Sequence, residues 1–420
     1  MLSRSPIFIH SLFRAGSTYL FNCFRRSPEG YWCYQEPLNE FLLNAGLRPE
    51  ALLELHEDNA RHLRHPEIGR PYFYEFFPLA ARIGETFHTA FSYQDYFCNA
   101  GPGSEALCRY LRGLADGAHG RPIFQECRST GRVLAIKECL GGTHVLLWRN
   151  PWDQWWSYKV DSHFEICNLQ ILAASQAPPA FFELREILGF NPAGNDVQSL
   201  LGQRLDASGS YTLFYALWCH AMLEAWPRCD LNINIDSLSR DEEYRNRLLK
   251  QLESHSITGL DFSDCSIPVG YYGKDDRAFF AEIEQRVHEL FLCHGYHAAD
   301  FERIGRLRIE HDCCGIAGNL APAIAEREFD RLRKLVRRLE SELAGTQRQQ
   351  GILTTNLNAV EAERAAVEKA LWVKEAERAA VEKALWVKEA ALMQIMTSRY
   401  WRWGTPIRLL GSRIKNIMKK

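Results

Sequence analysis

Residues 6–19 read P-I-F-I-H-S-L-F-R-A-G-S-T-Y, and their side chains suit one task, the holding of a phosphate or sulfate group. Arg14 supplies a cation, Gly16 lets the backbone approach an anion, and Ser17 and Thr18 add hydroxyl donors. The main-chain N–H groups from Ala15 to Tyr19 open a helix, where four such donors lack intrahelical partners. The nucleotide-triphosphatase pattern G-x-x-x-x-G-K-[ST] is not met, because His10 stands at its first glycine and Ala15-Gly16-Ser17 replaces Gly-Lys-Ser/Thr. A second segment, V-L-L-W-R-N-P-W-D-Q-W-W-S-Y-K at 145–159, also ends an apolar run in a polar turn. There Arg149 can fork two oxygens of a phosphate, and Ser157, on the helix that follows, completes the anion site.

These groups must be held at the ends of regular elements. Short apolar runs predict strands at 7–10, 30–34, 132–136, 145–148 and 231–235. Helical patterns lie between and after them, at 38–45, 51–62, 106–114, 211–226, 242–255 and 278–294. Strands alternating with helices predict an α/β fold, a parallel sheet covered by helices on both faces with ligands at its carboxyl edge. The stretch 173–209, rich in Pro and Gly, reads as an excursion that shapes an acceptor pocket.

R-A-G-S-T followed by R-N-P-x-D-x-x-x-S resembles the two nucleotide-binding motifs of the sulfotransferases, which move a sulfuryl group from 3′-phosphoadenosine 5′-phosphosulfate (PAPS) to an acceptor. The resemblance covers a first domain, 1–310, and implies a P-loop-type sheet and no metal. It also implies that Arg14, Ala15, Gly16, Ser17, Thr18 and Tyr19 hold the 5′-phosphosulfate, and Arg149 and Ser157 the 3′-phosphate. Arg14 stands where cytosolic members carry Lys, as is usual in the carbohydrate- and tyrosine-acting branches. A clear R-K-G-x-x-G-D-W segment is missing, and residues 270–274 are the candidate for that covering loop. Y-W-C-Y-Q-E-P-L-N resembles the F-E-P-L stretch of carbohydrate sulfotransferases, which makes Glu36 the expected base, with burial beside Tyr34 and Pro37 raising its pKa. A-I-K-E-C corresponds to I-K-T-H of the cytosolic enzymes, so Lys137 is expected at the sulfuryl group. Cys139 replaces the His of that motif and leaves Glu138 as the second candidate base. His144, His163 and His220 read as structural.

With 420 residues, a net charge of −2 and a pI near 6.7, the chain is large enough for one or two domains and is no bulk-charge binder of nucleic acid. Its 13 scattered Cys suit a reducing compartment, and no signal peptide or membrane span is legible, so a cytoplasmic location is expected.

After a linker at 311–322 the composition turns to Ala, Glu, Arg and Lys, and 361–374 and 375–388 are identical copies of E-A-E-R-A-A-V-E-K-A-L-W-V-K. Two heptads per copy place Val367 with Val381, Leu371 with Leu385 and Val373 with Val387 on one repeating face. A long helix over 323–397 that self-associates as a homo-oligomeric coiled coil is expected, although Lys374, Arg378 and Lys388 interrupt the seam. The tail, 398–420, is basic and tryptophan-bearing, and suits peripheral contact with the inner face of the cytoplasmic membrane. It resembles tails that follow coiled coils in bacterial enzymes of surface-polysaccharide assembly. The combined expectation is a PAPS-dependent sulfotransferase acting on a carbohydrate hydroxyl, on a surface polysaccharide or glycolipid precursor. The alternatives are a P-loop kinase, for which the loop lacks a Lys and a Mg²⁺-holding acid, and a coiled-coil scaffold with a degenerate enzyme domain.

Overall fold

The computed structural model describes residues 5–54, 70–98, 102–158, 163–192, 205–270, 272–311 and 322–397. It divides into two compact units, Met1–Leu320 and Ala321–Lys420. Tail residues 398–420 lie outside the described residues, as do most of the expected linker and residues 193–204 of the 173–209 excursion.

The first unit is built on five parallel strands, β1 (Ile7–Ser11), β2 (Trp32–Gln35), β3 (Pro122–Glu126), β4 (Thr143–Trp148) and β5 (Leu231–Asn234), in the order β2-β3-β1-β4-β5. Central β1 pairs Ile7 with Ile123 on one side and with Thr143 on the other. The side-chain period of two divides β1 between two cores. Ile7 and Ile9 join Val145, Leu147 and Ile233 under α1 (Ser17–Arg26). Phe8 faces the other way, with Phe124 and Tyr34, toward α2 (Pro102–Asp116). The remainder of that second face is covered by α5 (His163–Leu172), α6 (Ala207–Glu224) and α7 (Lys274–Cys293), after α3 (Val133–Leu140) and α4 (Pro151–Tyr158). The chain leaves β1 toward β2 and β3 on one side and returns to β4 and β5 on the other, so the topology switches direction at the carboxyl end of β1. Ligand crevices of open α/β sheets form there.

Two expectations are corrected. The apolar run at 132–136 is not a strand; it runs from a 3-10 turn at Thr130–Arg132 into α3, while the third strand is P-I-F-Q-E, which is short and closes on polar Gln125 and Glu126. A short apolar run cannot be assigned by periodicity alone. The cysteines are not all free thiols either, since Cys108 on α2 is bonded to Cys139 on α3. Among the described residues no helix is long and apolar enough to cross a membrane.

The described residues of the second unit form one helix, α8 (Pro322–Thr397).

Candidate functional site

Beyond Ser11, the last residue of β1, the chain turns sharply into α1. Arg14 has φ 62° and Gly16 φ 88°, both left-handed. Gly16 is required twice over: its backbone favours glycine, and a Cβ there would lie 2.8 Å from Cγ1 of Ile235. Gly16 caps α1 without a side chain, leaving the Ser17 and Thr18 N–H groups at the open end of the helix while the Tyr19 N–H donates to the Gly16 carbonyl, and Arg25 and Arg26 complement the far end of the helix dipole. The Oγ of Ser17 lies 3.4 Å from the Sγ of Cys127 at the end of β3.

Arg14 Nε donates to Ser157 Oγ at 3.0 Å, and its guanidinium lies 5.2 Å from the ring centroid of Phe164 on α5. The hydroxyl belongs to α4, which follows β4. Two motifs far apart in sequence thus meet at one hydrogen bond, and Ala15, Gly16, Ser17, Thr18 and Tyr19 fall in the turn and first helical residues beside it. Tyr19 itself is buried; its hydroxyl donates to Asp264 and its N–H to the Gly16 carbonyl at 3.1 Å, so both donors are engaged within the fold.

Arg149 stands at the carboxyl end of β4, as expected, but two of its donors are engaged. Its Nε donates to Asp236 Oδ1 at 3.3 Å and Nη2 to the Pro268 carbonyl. Asp236, pushed up by burial while Arg149 pulls it down, also accepts the Asn150 N–H. One helical turn on, Asp153 Oδ1 accepts the Gly270 N–H at 2.6 Å and the Tyr272 hydroxyl at 2.7 Å. The second motif therefore fastens Pro268, Gly270 and Tyr272, the last two of which belong to the 270–274 stretch expected to act as the covering loop; Tyr271 lies outside the described residues.

Glu36 directly follows β2 and is in the left-handed region at φ 48°. Among the described residues the non-glycine residues with positive φ are Arg14, Glu36 and Ser256, and two of these are the expected cation and the expected base. Such strain is sustained only where surrounding contacts over-determine it. Glu36 Oε1 accepts the Tyr72 hydroxyl at 2.8 Å; Oε2 accepts Asn39 Nδ2 at 2.8 Å and Arg128 Nη1 at 2.9 Å. Burial pushes this carboxyl upward, but the Arg128 guanidinium and the Tyr72 and Asn39 donors outweigh it and hold the pKa below the usual carboxylate value. The expectation of a raised pKa is corrected: the partner that reverses it lies 92 residues away in the chain.

Arg128 is the residue the sequence did not reveal. It is 1% exposed, stacks over the rings of Phe13 and Tyr93 at 4.9 and 5.2 Å, and reaches Glu40 as well as Glu36. Phe13 adjoins Arg14, so Arg128 connects the anion loop to the end of β2. A third carboxyl, Glu126, is buried 3.7 Å from the same guanidinium. Burial dominates and, with the Glu36 charge, lifts it to about 7 despite Arg128. Its oxygens accept three main-chain N–H groups, from Leu38, Cys127 and Arg128. The run E-C-R at the end of β3 is the available signal, and the strand expected at 132–136 lies beyond it.

Lys137 is not at the site. It lies on α3, and its Nζ donates to Asp230 Oδ1 at 2.7 Å and to the Arg228 carbonyl at 2.8 Å. Asp230 precedes β5 and also accepts the N–H of His144, near the start of β4, which places Lys137 at the amino edge of the sheet, opposite the loop. Glu138, exposed on the same helix, is away from the site for the same reason. His144 and His220 are buried, as expected of structural groups, whereas exposed His163 adjoins Phe164, the ring beneath Arg14.

No family model matches the chain, and neither a curated protein nor a solved structure does.

Proposed function

We propose that the first unit is a PAPS-dependent sulfotransferase on a P-loop-type scaffold, acting on a carbohydrate hydroxyl. The observation that carries this reading is the Arg14–Ser157 hydrogen bond, which brings both motifs together at the carboxyl end of β1, with ionised Glu36 beside the same loop through Arg128 and Phe13. Arg14, the loop amides and the Ser17 and Thr18 hydroxyls fit the phosphosulfate, and Ser157 and Arg149 the 3′-phosphate. For Arg149 to contact a phosphate, its bonds to Asp236 and Pro268 have to yield or share donors.

In the transfer, the acceptor oxygen forms a bond to sulfur as the bond from sulfur to the 5′-phosphate oxygen breaks, and adenosine 3′,5′-bisphosphate leaves with the electron pair. Charge develops on the leaving oxygen, where Arg14 and the amides act. The acceptor proton passes to Glu36. A depressed pKa is compatible with that role, because a hydroxyl bonded to sulfur is far more acidic than any carboxylic acid, and the base has only to be ionised and placed. The buried Arg128 keeps it so across neutral pH.

Thermal-shift titration with adenosine 3′,5′-bisphosphate, against ATP–Mg²⁺, tests the assignment, since saturation at 100 times Kd stabilises by about 2.7 kcal/mol. The bisphosphate shift is expected to disappear in Arg14→Ala and to survive in Glu36→Gln, whose turnover falls by about 100- to 10,000-fold. A response to ATP–Mg²⁺ alone would refute the reading.

A further inference from the structure

Every residue of α8 from 342 to 394 whose accessibility is described is exposed, including Leu357 at 58% and Val367 at 66%. With heptad position a set at Leu343, the a positions from 343 to 392 are Leu except Gln350, Arg364 and Arg378. The d positions from 339 to 388 are Leu or Val except Thr346, Lys374 and Lys388. The seam keeps one register throughout, because the fourteen-residue repeat is two heptads. Val373 and Val387, expected on it, fall at c.

The four cations in the seam form a pattern of their own. Glu363 and Glu377 stand at g directly before Arg364 and Arg378, and Glu375 and Glu389 at e directly after Lys374 and Lys388. In a parallel coiled coil an a side chain packs beside the partner's preceding g residue, and a d side chain beside the partner's following e residue. Each core cation of one copy therefore meets a glutamate of the other. Within the helix, Arg364 and Arg378 also donate to Glu368 and Glu382, at 2.9 and 3.1 Å, which holds them on the seam.

We propose that α8 pairs with a second copy of this chain as a parallel, in-register, two-stranded coiled coil in which the four cationic layers mark the register. Antiparallel pairing does not accommodate them. Overlap of the whole helix in that sense sets Arg364 and Arg378 against Leu353 and Leu339. The antiparallel register that matches cation with cation leaves the first half of α8, with Leu339 and Leu343, without a partner. A parallel slip by one repeat sets Lys374 against Val360 and Arg364 against Gln350. Two strands suit the cations because long basic side chains extend from the edge of a two-stranded seam into water, whereas additional strands close over them. The inference does not depend on the activity of the first unit.

The test uses the full chain. Light scattering is expected to give the mass of two copies. Thr346→Cys, at a d position, is expected to cross-link two chains under mild oxidation well beyond the unsubstituted protein, since equivalent d residues come within disulfide reach only when parallel and in register. Arg364→Glu with Arg378→Glu, which adds acids beside Glu363, Glu368, Glu377 and Glu382, is expected to raise the dimer Kd at least tenfold. The mass of one copy overturns the proposal. So does a two-copy mass with only background cross-linking at 346, or one unaffected by the double charge reversal.

Discussion

Acidification should weaken the first unit through a pair of buried histidines. The His10 and His144 rings are stacked 5.2 Å apart, with His10 Nε2 and His144 Nδ1 at 2.9 Å. Ser129 Oγ lies 2.7 Å from His10 Nδ1, and His144 Nε2 lies 3.1 Å from the Gly141 carbonyl. The carbonyl only accepts, so His144 Nε2 donates to it. His144 Nδ1 must then accept from His10 Nε2, and His10 Nδ1 from the Ser129 hydroxyl; the chain is complete with both rings neutral. Burial lowers His144 to about 4 and His10, with the His144 ring adding to the effect, well below its ordinary value. The unfolded chain binds these protons near pH 6.5, so stability is full above that pH and lost as pH falls toward the folded values. Between pH 7.5 and 5 the linkage gives about 2 kcal/mol from His144, and His10 acts in the same direction. Glu126, lifted to about 7, opposes this, because its stabilisation grows as pH falls through that value. The comparison must therefore be between variants. Urea unfolding of wild type and of His10→Leu/His144→Leu at both pH values should show the double variant losing at least about 2 kcal/mol less on acidification, whatever its stability at pH 7.5. Equal losses would show that the pair protonates freely in the folded state, and the neutral relay would be wrong.

Gly16→Ala should destabilise the unit by at least about 1–2 kcal/mol from the left-handed backbone alone, more with the Ile235 contact, and abolish the bisphosphate thermal shift. Arg128→Met should cost about 3–5 kcal/mol at pH 8, because it leaves Glu36 and Glu126 buried without their cation. The cost should shrink toward pH 5.5, since without Arg128 the folded carboxyls hold protons that the unfolded chain releases; denaturation at both pH values checks the sign. A chain ending at Leu320 should stay folded and bind the bisphosphate as a single copy, measured by light scattering and thermal shift.

Local features are legible in the residues alone. An apolar run into R-A-G-S-T gives a strand, a left-handed turn that needs glycine, and a helix start, since each depends on neighbours within a few residues. The seam of α8 is legible for the same reason: a helix fixes its own periodicity, and the repeat carries it from one copy to the next. The folded chain sets what depends on residues distant in sequence. It identified β3 by the strands on either side of it, drew Ser157 onto Arg14, and removed Lys137 to the opposite edge of the sheet. It also reversed the pKa shift of Glu36, because the sign of a buried carboxyl's shift is set by its partners. Arg128, the decisive partner, reaches Glu36 only when β2 and β3 lie side by side.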